Sequence, residues 1–436
     1  MKILLANKYF HPAGGPETLL FDSMEKLQSL GHTVIPFSMQ HPKNLKSEYE
    51  EYFVSNVDYN NHSRNPWDMA KSTFRIIFNL EAKKKMEQLI KDTKPDIAHL
   101  HNIYHQLSPS ILLPLKKYNI PVVMSLHDFK LVCPNYTFLR DGKVCEECEG
   151  KHFYKAIKYK CVKDSYAKSA ISALEMYVHK LNQTYIKTVD CFIALSRFTQ
   201  KKLIQYGLPQ EKIVYLPNYV NVSTYKTNST KKRYILFLGT LSDKNGIFTL
   251  VKAMRNLSPI KLKIAGAGEQ EKLIRDYIRE NKMKNIELAG FLSREKLKET
   301  IANCDFLVFP NNCYHNCPMS ILESFAYGKP VVGSNLGSVP ELVEDGRTGL
   351  LFEPRDEKEL AEKIKYLYEN PQMVEKMGRN ARRKVEGNFS AEKYYPKLLQ
   401  IYEELIQKKK VRVHPHPVVE TKIIKNKEGV NYVQEY

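Results

Sequence analysis

Two successive series of short apolar runs, separated by amphipathic stretches, constrain the fold of this chain most strongly. In the first forty residues the run "KILLA" is followed by the turn "HPAGGPE", an amphipathic stretch from Thr18 to Leu30, and a second apolar run, "TVIPF". Short apolar runs predict strands, and amphipathic stretches between them predict helices. The opening of the chain therefore predicts a βαβ unit.

The same alternation predicts two domains. Further strands are expected at "DIAHL", "VVMSL" and "CFIALS" up to residue 212, and the pattern restarts after a linker rich in Asn, Ser and Thr with "RYILFLG", "KLKIAG", "IELAG", "DFLVFP" and "PVVGS". This indicates an α/β protein with two Rossmann-like, doubly wound parallel-sheet domains, residues 1–212 and 213–390, facing across a cleft. Residues 391–407 predict an amphipathic helix kinked at Pro396, and residues 408–436 form a basic tail.

Composition narrows the function classes. The chain has 436 residues, of which 43% are hydrophobic and 26% charged, as in soluble globular proteins. Its net charge of +19 is spread over many patches, which fits phosphate-rich ligands or an anionic membrane surface, and the absence of a nucleic-acid motif argues against nucleic acid as a partner. No apolar stretch has the length of a membrane span, and no secretory signal is recognised. We therefore expect a cytoplasmic protein, peripheral on the inner membrane face.

The segment Asn311 to Pro330 predicts a strand-to-helix loop with ligand-binding chemistry. Pro318 suits the start of a helix and Gly328 its end, and a helix N-terminus binds phosphate through free N–H groups. Glu323 lies one to two turns into this helix, where a carboxylate can accept hydrogen bonds from ribose hydroxyls. An exposed helix Glu without a ligand is the alternative.

Eight segments together resemble retaining, two-domain nucleotide-sugar glycosyltransferases of family 4, of the kind that builds bacterial capsules, exopolysaccharides and O-antigens. The segments are "GGPE" from Gly14, "HLHNIYHQLSPSIL" from His99, "SLHDFKLVCP" from Ser125, "ALSRFTQKKL" from Ala194, "PNYV" from Pro217, "FLGTLSDKNGIFTLVKAM" from Phe237, "CPMSILESFAYGKPVV" from Cys317 and "GSVPELVEDGRTGLLFEP" from Gly337. Their order and spacing cover residues 1 to 407. The resemblance implies the GT-B architecture, with the last helix crossing back to the first domain.

The resemblance also implies roles for individual residues. Gly14 and Gly15 would let the first loop approach the donor diphosphate, and His127 would face the transferred sugar. Glu323 would be the second carboxylate of the family's Glu-x7-Glu element and hold the ribose. Gly337 and Glu341 match a loop whose backbone amides reach the donor.

Ser338 stands where the family usually has a second Gly, and three further positions depart from the family pattern at the donor. His315 stands where the first Glu of the Glu-x7-Glu element is expected, Thr240 replaces an Arg, and Asn245 replaces a Lys. A neutral imidazole can bind a hydroxyl but cannot supply a negative charge. The two missing cations normally neutralise the departing diphosphate, and Lys244, one position earlier, is a candidate substitute.

Two functions follow from this pattern. The first is an enzyme that moves a sugar from a UDP- or GDP-linked donor to a glycan or lipid-linked acceptor with retention, with His127 and His315 as catalytic residues and no cofactor required for catalysis. The second is a catalytically impaired member of the same fold that binds a nucleotide, glycan or partner protein without transfer. The substitutions at Thr240, Asn245 and His315 keep both open.

Four of the eight cysteines lie close together in the sequence after His127. Cys133, Cys145, Cys148 and Cys161 have the spacing C-x11-C-x2-C-x12-C. One CxxC pair with two flanking cysteines is compatible with a structural zinc site or with four reduced thiols.

Overall fold

The computed structural model describes residues 1–56, 73–226 and 233–413, together with residues 422–425 and 431–434. The strands of the first half are β1 (Lys2–Ala6), β2 (Thr33–Phe37), β3 (Ile97–Leu100), β4 (Val122–Leu126), β5 (Leu139–Arg140), β6 (Lys143–Val144), β7 (Cys191–Ala194) and β8 (Ile213–Tyr215). Six of them form one parallel sheet in the order β2-β1-β3-β4-β7-β8, and β5 and β6 form a separate antiparallel pair.

Helices cover this first sheet. They are α1 (Gly15–Ser29), α2 (Leu80–Thr93), α3 (Leu112–Lys117), α4 (Lys155–Lys158), α5 (Tyr166–Leu181) and α6 (Arg197–Gln205). Residues 73–77 are also helical. The cores on the two faces of the sheet consist mainly of Ile, Leu, Val and Met side chains from the strands, as expected for parallel strands buried on both sides.

The second half repeats this architecture. Its strands are β9 (Tyr234–Leu238), β10 (Lys261–Ala265), β11 (Ile286–Gly290), β12 (Leu307–Phe309), β13 (Val331–Ser334) and β14 (Gly349–Phe352). They form a second parallel sheet in the order β11-β10-β9-β12-β13-β14. Its helices are α7 (Ile247–Ala253), α8 (Glu271–Glu280), α9 (Arg294–Asn303), α10 (Met319–Ala326), α11 (Val339–Leu342), α12 (Glu357–Glu369) and α13 (Pro371–Asn388). The predicted fold of two doubly wound parallel-sheet domains is confirmed.

The predicted boundary at residue 212 is too early. Strand β8 continues the first sheet, with Phe192 opposite Ile213 and Ala194 opposite Tyr215. This strand has only three residues, "IVY", and leads directly into a polar linker, so its residues were assigned to the linker. Strand β14 was likewise not predicted.

A long helix joins the two domains. Helix α14 (Ala391–Val413) contains Pro396 and extends six residues beyond the predicted end at 407. Its Tyr402 is fully buried and contacts His99 at the end of β3, so the helix returns to the first domain.

The tail also contains an antiparallel pair of strands, β15 (Lys422–Lys425) and β16 (Asn431–Gln434). Among the described residues, no helix is both long and apolar enough to cross a bilayer.

Candidate active site

The carboxyl end of β4 meets the loop between β12 and α10 at the boundary of the two domains. The Asn316 side-chain amide donates to the Leu126 carbonyl (2.8 Å), and the Thr199 hydroxyl donates to the Asn316 amide oxygen (2.9 Å). Leu126 directly precedes His127, and Asn316 directly follows His315. The two histidines predicted as catalytic are therefore carried by segments that are bonded to each other across the cleft.

His127, itself partly buried, belongs to a chain of three imidazoles with the buried His101 and His99. Its Nε2 lies 2.9 Å from Nδ1 of His101, and the two rings are stacked. His101 stacks in turn on His99, whose nitrogens contact the Tyr402 hydroxyl (2.6 Å) and the Ser125 hydroxyl (2.8 Å). Burial lowers the pKa of His127 to about 4 and that of His99 to about 3, so these imidazoles are neutral near pH 7. One nitrogen of His127 is thereby committed to His101.

His315 is held from several sides. Its Nε2 lies 3.7 Å from the Cys313 sulfur, the edge of its ring meets Phe309, and the Ser338 hydroxyl donates to its carbonyl (2.7 Å). Burial, and then the charge of Lys244, lowers the pKa of His315 to about 4. The imidazole is therefore a neutral hydrogen-bonding group at pH 7.

The loop between β9 and α7 packs directly against the His315 loop. The Asn312 backbone N–H donates to the Lys244 carbonyl (2.9 Å), and the Asn312 side-chain amide donates to the Asp243 carbonyl (2.8 Å). Gly246 has a φ of +64°, and a Cβ there would lie 1.7 Å from the Pro310 carbonyl oxygen, so only glycine permits this approach. The packing brings Lys244 within electrostatic range of His315.

Thr240 and Asn245 occupy the same loop but serve its internal structure. The Asn245 side-chain amide donates to the Thr240 carbonyl (2.8 Å), which closes the turn. The Thr240 side chain is exposed. Of the residues predicted to bind the donor in this loop, Lys244 carries the positive charge.

Unpaired polar atoms surround this loop. The buried side-chain oxygens of Ser242, Asn311 and Asn312 have no hydrogen-bond partner among the described residues. Buried polar atoms are normally paired, so three unpaired oxygens at the carboxyl edge of one sheet indicate a place where ligand or water supplies the partners.

Glu323 lies in the second turn of α10, partly buried beside Arg294, Lys298 and Asp22. Burial raises its pKa to about 7, against the lowering charges of Arg294 and Lys298. Within the described residues its carboxylate has no hydrogen-bond partner from the protein. It is therefore available to a ligand.

The glycine pair of the first loop leaves space beside α10. A Cβ on Gly14 or Gly15 would meet only ordinary contacts, at 3.5 Å from Glu17 and 3.6 Å from Met319. The protein itself does not require glycine at these two positions. Their predicted role in admitting a donor diphosphate stays a prediction.

The loop that follows β13 joins the domains. Gly337, with a φ of +63°, lies against Tyr314 and the His315 backbone. The Glu341 carboxylate accepts the backbone N–H groups of Arg197 (2.9 Å) and Phe198 at the start of α6. The side chain of Glu341, predicted for the donor site, is thus engaged by the first domain.

A bridge that the sequence did not predict connects the cysteine-containing loop with the donor loops. Glu146 accepts the Tyr314 hydroxyl (2.7 Å) and pairs with Lys202 (2.7 Å), while the Tyr314 ring packs among phenylalanines. At the tip of the β5–β6 hairpin, a Cβ on Gly142 would lie 2.4 Å from the Arg355 guanidinium, which is paired with Asp243 (2.9 Å). The pair "EE" between Cys145 and Cys148 was the available signal for this bridge.

The four predicted metal ligands lie in this same loop as free thiols. Burial, and then the neighbouring thiols of Cys133, Cys161 and Cys145, raises the pKa of Cys148 to about 12. The four side chains are therefore near one another. In the part of the chain that the structure describes, however, no three His, Cys, Asp or Glu side chains have an arrangement that could hold a metal ion.

Two family profiles match consecutive parts of the chain. Glycosyltransferase Family 4 matches residues 13–224, and Glycosyl transferases group 1 matches residues 224–384. An uncharacterized glycosyltransferase of Methanocaldococcus jannaschii is 24% identical over 93% of this chain and 99% of its own length. The amylovoran biosynthesis glycosyltransferase of Erwinia amylovora is 28% identical over 50% of this chain and 56% of its own length.

Solved structures share the fold. An Anabaena protein crystallised in complex with UDP superimposes with a TM-score of 0.66 at 17% identity, covering 93% of this chain and all of the other. The same Anabaena protein has also been solved with UDP-glucose. The similarity establishes the GT-B arrangement of two facing domains.

Proposed function

We propose that this chain, which combines a family 4 glycosyltransferase domain with a group 1 glycosyl transferase domain, is a retaining enzyme that transfers a hexose from a UDP-linked donor. The observation that carries the proposal is the junction at Asn316. It fixes the His315 loop of the second domain to the strand end that carries His127 in the first domain. One neutral imidazole from each domain then borders the same part of the cleft.

The second domain supplies the groups that would hold the nucleotide. Glu323 offers a carboxylate without a protein partner among the described residues, which suits the ribose hydroxyls. Lys244 brings a cation next to His315, where the diphosphate of a donor would lie between the β9–α7 loop and the start of α10. The Anabaena protein, which has the same fold, was crystallised in complex with UDP, and this supports the choice of nucleotide.

The proposed reaction breaks the bond between the anomeric carbon and the diphosphate oxygen. The acceptor hydroxyl attacks the anomeric carbon from the face that the diphosphate leaves, and its proton passes to the departing phosphate oxygen. Lys244 stabilises the charge that develops on the diphosphate, while His127 and His315 bind hydroxyls of the sugar as neutral donors and acceptors. No metal or cofactor takes part in these steps.

The acceptor is proposed to be a glycan, either free or lipid-linked, in the synthesis of a cell-surface polysaccharide. The similarity to the amylovoran biosynthesis glycosyltransferase supports this assignment. We include in this proposal that the product is a capsule or exopolysaccharide and that the enzyme works at the inner membrane face.

The test is a donor screen with a product analysis. Purified protein is incubated with UDP- and GDP-linked hexoses and a lipid extract as acceptor source, and released nucleoside diphosphate is measured. We expect one UDP-hexose to be consumed and the new linkage to keep the donor's anomeric configuration by NMR. Release of UDP with inversion would overturn the retaining mechanism, and nucleotide binding without turnover of any donor would favour the impaired binding protein.

A further inference from the structure

Helix α5 presents an apolar face to solvent. Tyr166, Leu174 and Leu181 are 59%, 51% and 80% exposed. Their spacings of eight and seven residues place them on one side of the helix. The same side carries only apolar or aromatic neighbours, namely Ala167, Ala170, Ile171, Tyr177 and Val178.

Four polar residues of α5 point inward, whereas Lys168 and Lys180 are partly exposed. Ser169, Ser172, Glu175 and His179 are buried. Glu175 forms an ion pair with Lys130 (2.8 Å), and the Ser172 hydroxyl donates to the Pro134 carbonyl (2.7 Å). A surface helix of a soluble protein normally has the opposite polarity. Because the buried ion pair fixes the orientation of α5, its apolar side remains available to a partner.

The surroundings of this face are basic. Residues 151–187 contain eight lysines and only two acidic residues, Asp164 and Glu175, the second of which is buried against Lys130. Lys160 lies 4.8 Å from the centre of the Tyr166 ring, and Tyr154 is 54% exposed beside these lysines. This face thus has leucines at its centre and tyrosines and lysines around them. Such a surface is typical of a protein that lies in the interfacial region of an anionic bilayer.

We propose that the outer face of α5 and the adjoining basic segment 151–165 dock on an anionic membrane surface. The helix would lie in the plane of the headgroups, with Leu174 and Leu181 in the acyl region. This docking rests on the exposed face of α5 and on the adjoining lysines, and it does not depend on the proposed function. Its consequence for catalysis depends on the proposed function: Lys130, which α5 holds, is three residues from His127, so an acceptor carried by a lipid would reach the cleft from this side.

Vesicle co-sedimentation tests the apolar face. The full chain is mixed with vesicles of phosphatidylcholine alone or with about one third phosphatidylglycerol. We expect the wild type to bind the anionic vesicles, and Leu174→Asp with Leu181→Asp to lower the partition coefficient at least about tenfold. The control is Leu273→Asp with Lys272→Glu on α8, where Leu273 is 49% exposed. It removes one more unit of positive charge than the α5 variant does, yet it should bind the anionic vesicles as the wild type does.

A second pair of variants tests the charge. Lys151→Glu and Lys158→Glu together should weaken binding by about fivefold or more for each lysine, and about 0.5 M NaCl should weaken binding of the wild type. UDP affinity, measured on every variant, should stay unchanged, which separates a failure of docking from a failure of the donor site.

Three outcomes overturn the docking proposal. The first is wild-type protein that binds neither kind of vesicle or binds both equally. The second is an α5 variant that binds as the wild type does. The third is light scattering that shows a wild-type dimer converted to a monomer by Leu174→Asp and Leu181→Asp, because the face would then belong to a second copy of the chain.

Discussion

At the residue scale, the position of His127 depends on a neighbour that carries no charge. His101 contacts Nε2 of His127 and is itself stacked between His127 and His99. In a contact between two neutral imidazoles one nitrogen carries the proton and the other accepts it, so the contact couples the tautomers of His127 and His101 and fixes how the His127 ring is oriented. His101 is therefore a positioning residue for the sugar-facing imidazole.

Removal of this contact should lower turnover more than donor binding. We expect His101→Ala to reduce kcat by about tenfold while KM for the donor changes little, because the imidazole of His127 loses its fixed orientation. His101→Asn keeps a polar atom near the position of Nδ1 and should restore most of the rate. Equal rates for the Ala and Asn variants would remove His101 from this role.

The three departures from the family pattern allow a reversal experiment. The structure already places Lys244 beside His315 and uses Asn245 to close the loop through the Thr240 carbonyl. The variant His315→Glu, Thr240→Arg, Asn245→Lys should therefore turn over the donor more slowly than the wild type, by about 10²-fold for a lost electrostatic arrangement.

The opposite sign would support the impaired binding protein. In that case the triple variant would be faster than the wild type, because it would regain the carboxylate and the two cations of a donor site. Circular dichroism and UDP affinity serve as controls for folding. An unchanged rate in a folded variant that binds UDP would place all three positions outside the donor site.

At the element scale, the loop between β4 and α5 connects the cysteines with the donor site. Glu146 lies between Cys145 and Cys148 and holds Tyr314, the residue before His315. Anything that orders the four thiols therefore also orders this bridge across the cleft.

We expect protein purified under reducing conditions without chelators to contain about one zinc per chain. The four thiols are near one another but are not arranged as metal ligands in the described structure, so zinc would have to draw their side chains together. The bound ion would then offset the repulsion between the thiolates. Elemental analysis measures the metal, and hydrogen exchange should show that chelation loosens residues 133–161. Metal-free protein with the same exchange pattern would leave four reduced thiols as the correct interpretation.

At the scale of the whole molecule, buried histidines make stability depend on pH. Burial holds the pKa of His127 and His315 at about 4 and that of His99 at about 3, against 6.5 in an unfolded chain. As the pH falls below 6.5, these imidazoles bind protons in the unfolded chain but stay unprotonated in the folded chain. The free energy of unfolding therefore decreases down to about pH 4. Glu323 acts in the opposite direction between its ordinary pKa of 4.5 and about 7, and offsets part of this loss.

Denaturant unfolding between pH 7.5 and 5 should therefore show a net loss of stability on acidification. His315→Gln should reduce the slope, because one fewer imidazole has a lowered pKa. The control His152→Gln changes an exposed side chain and should leave the slope as it is. Stability that is constant or rises toward pH 5 would contradict the burial of these histidines.

The sequence predicted the strands and helices better than it predicted the contacts between the loops that join them. Ten apolar runs marked ten strands correctly, whereas the short runs of β8 and β14 stand next to polar linker and turn residues and were not assigned as strands. The strand-to-helix loops that bear His127 and His315, and the helix that bears Glu323, followed from local patterns. The contacts that join these loops could not be predicted, because Asn316 and Leu126 are 190 residues apart and Glu146 and Tyr314 are 168 apart.

UDP titration tests the central claim, that the second domain binds a nucleotide donor through Glu323, most directly. Isothermal titration of the wild type should show saturable binding of UDP, and Glu323→Ala should weaken it by about tenfold or more, since the hydrogen bonds between the Glu323 carboxyl group and the ribose hydroxyls are lost. Glu295→Ala on α9, an exposed glutamate on the neighbouring helix, should bind UDP as the wild type does. Equal UDP affinity of the wild type and Glu323→Ala, or no binding of UDP to the wild type, would contradict the account.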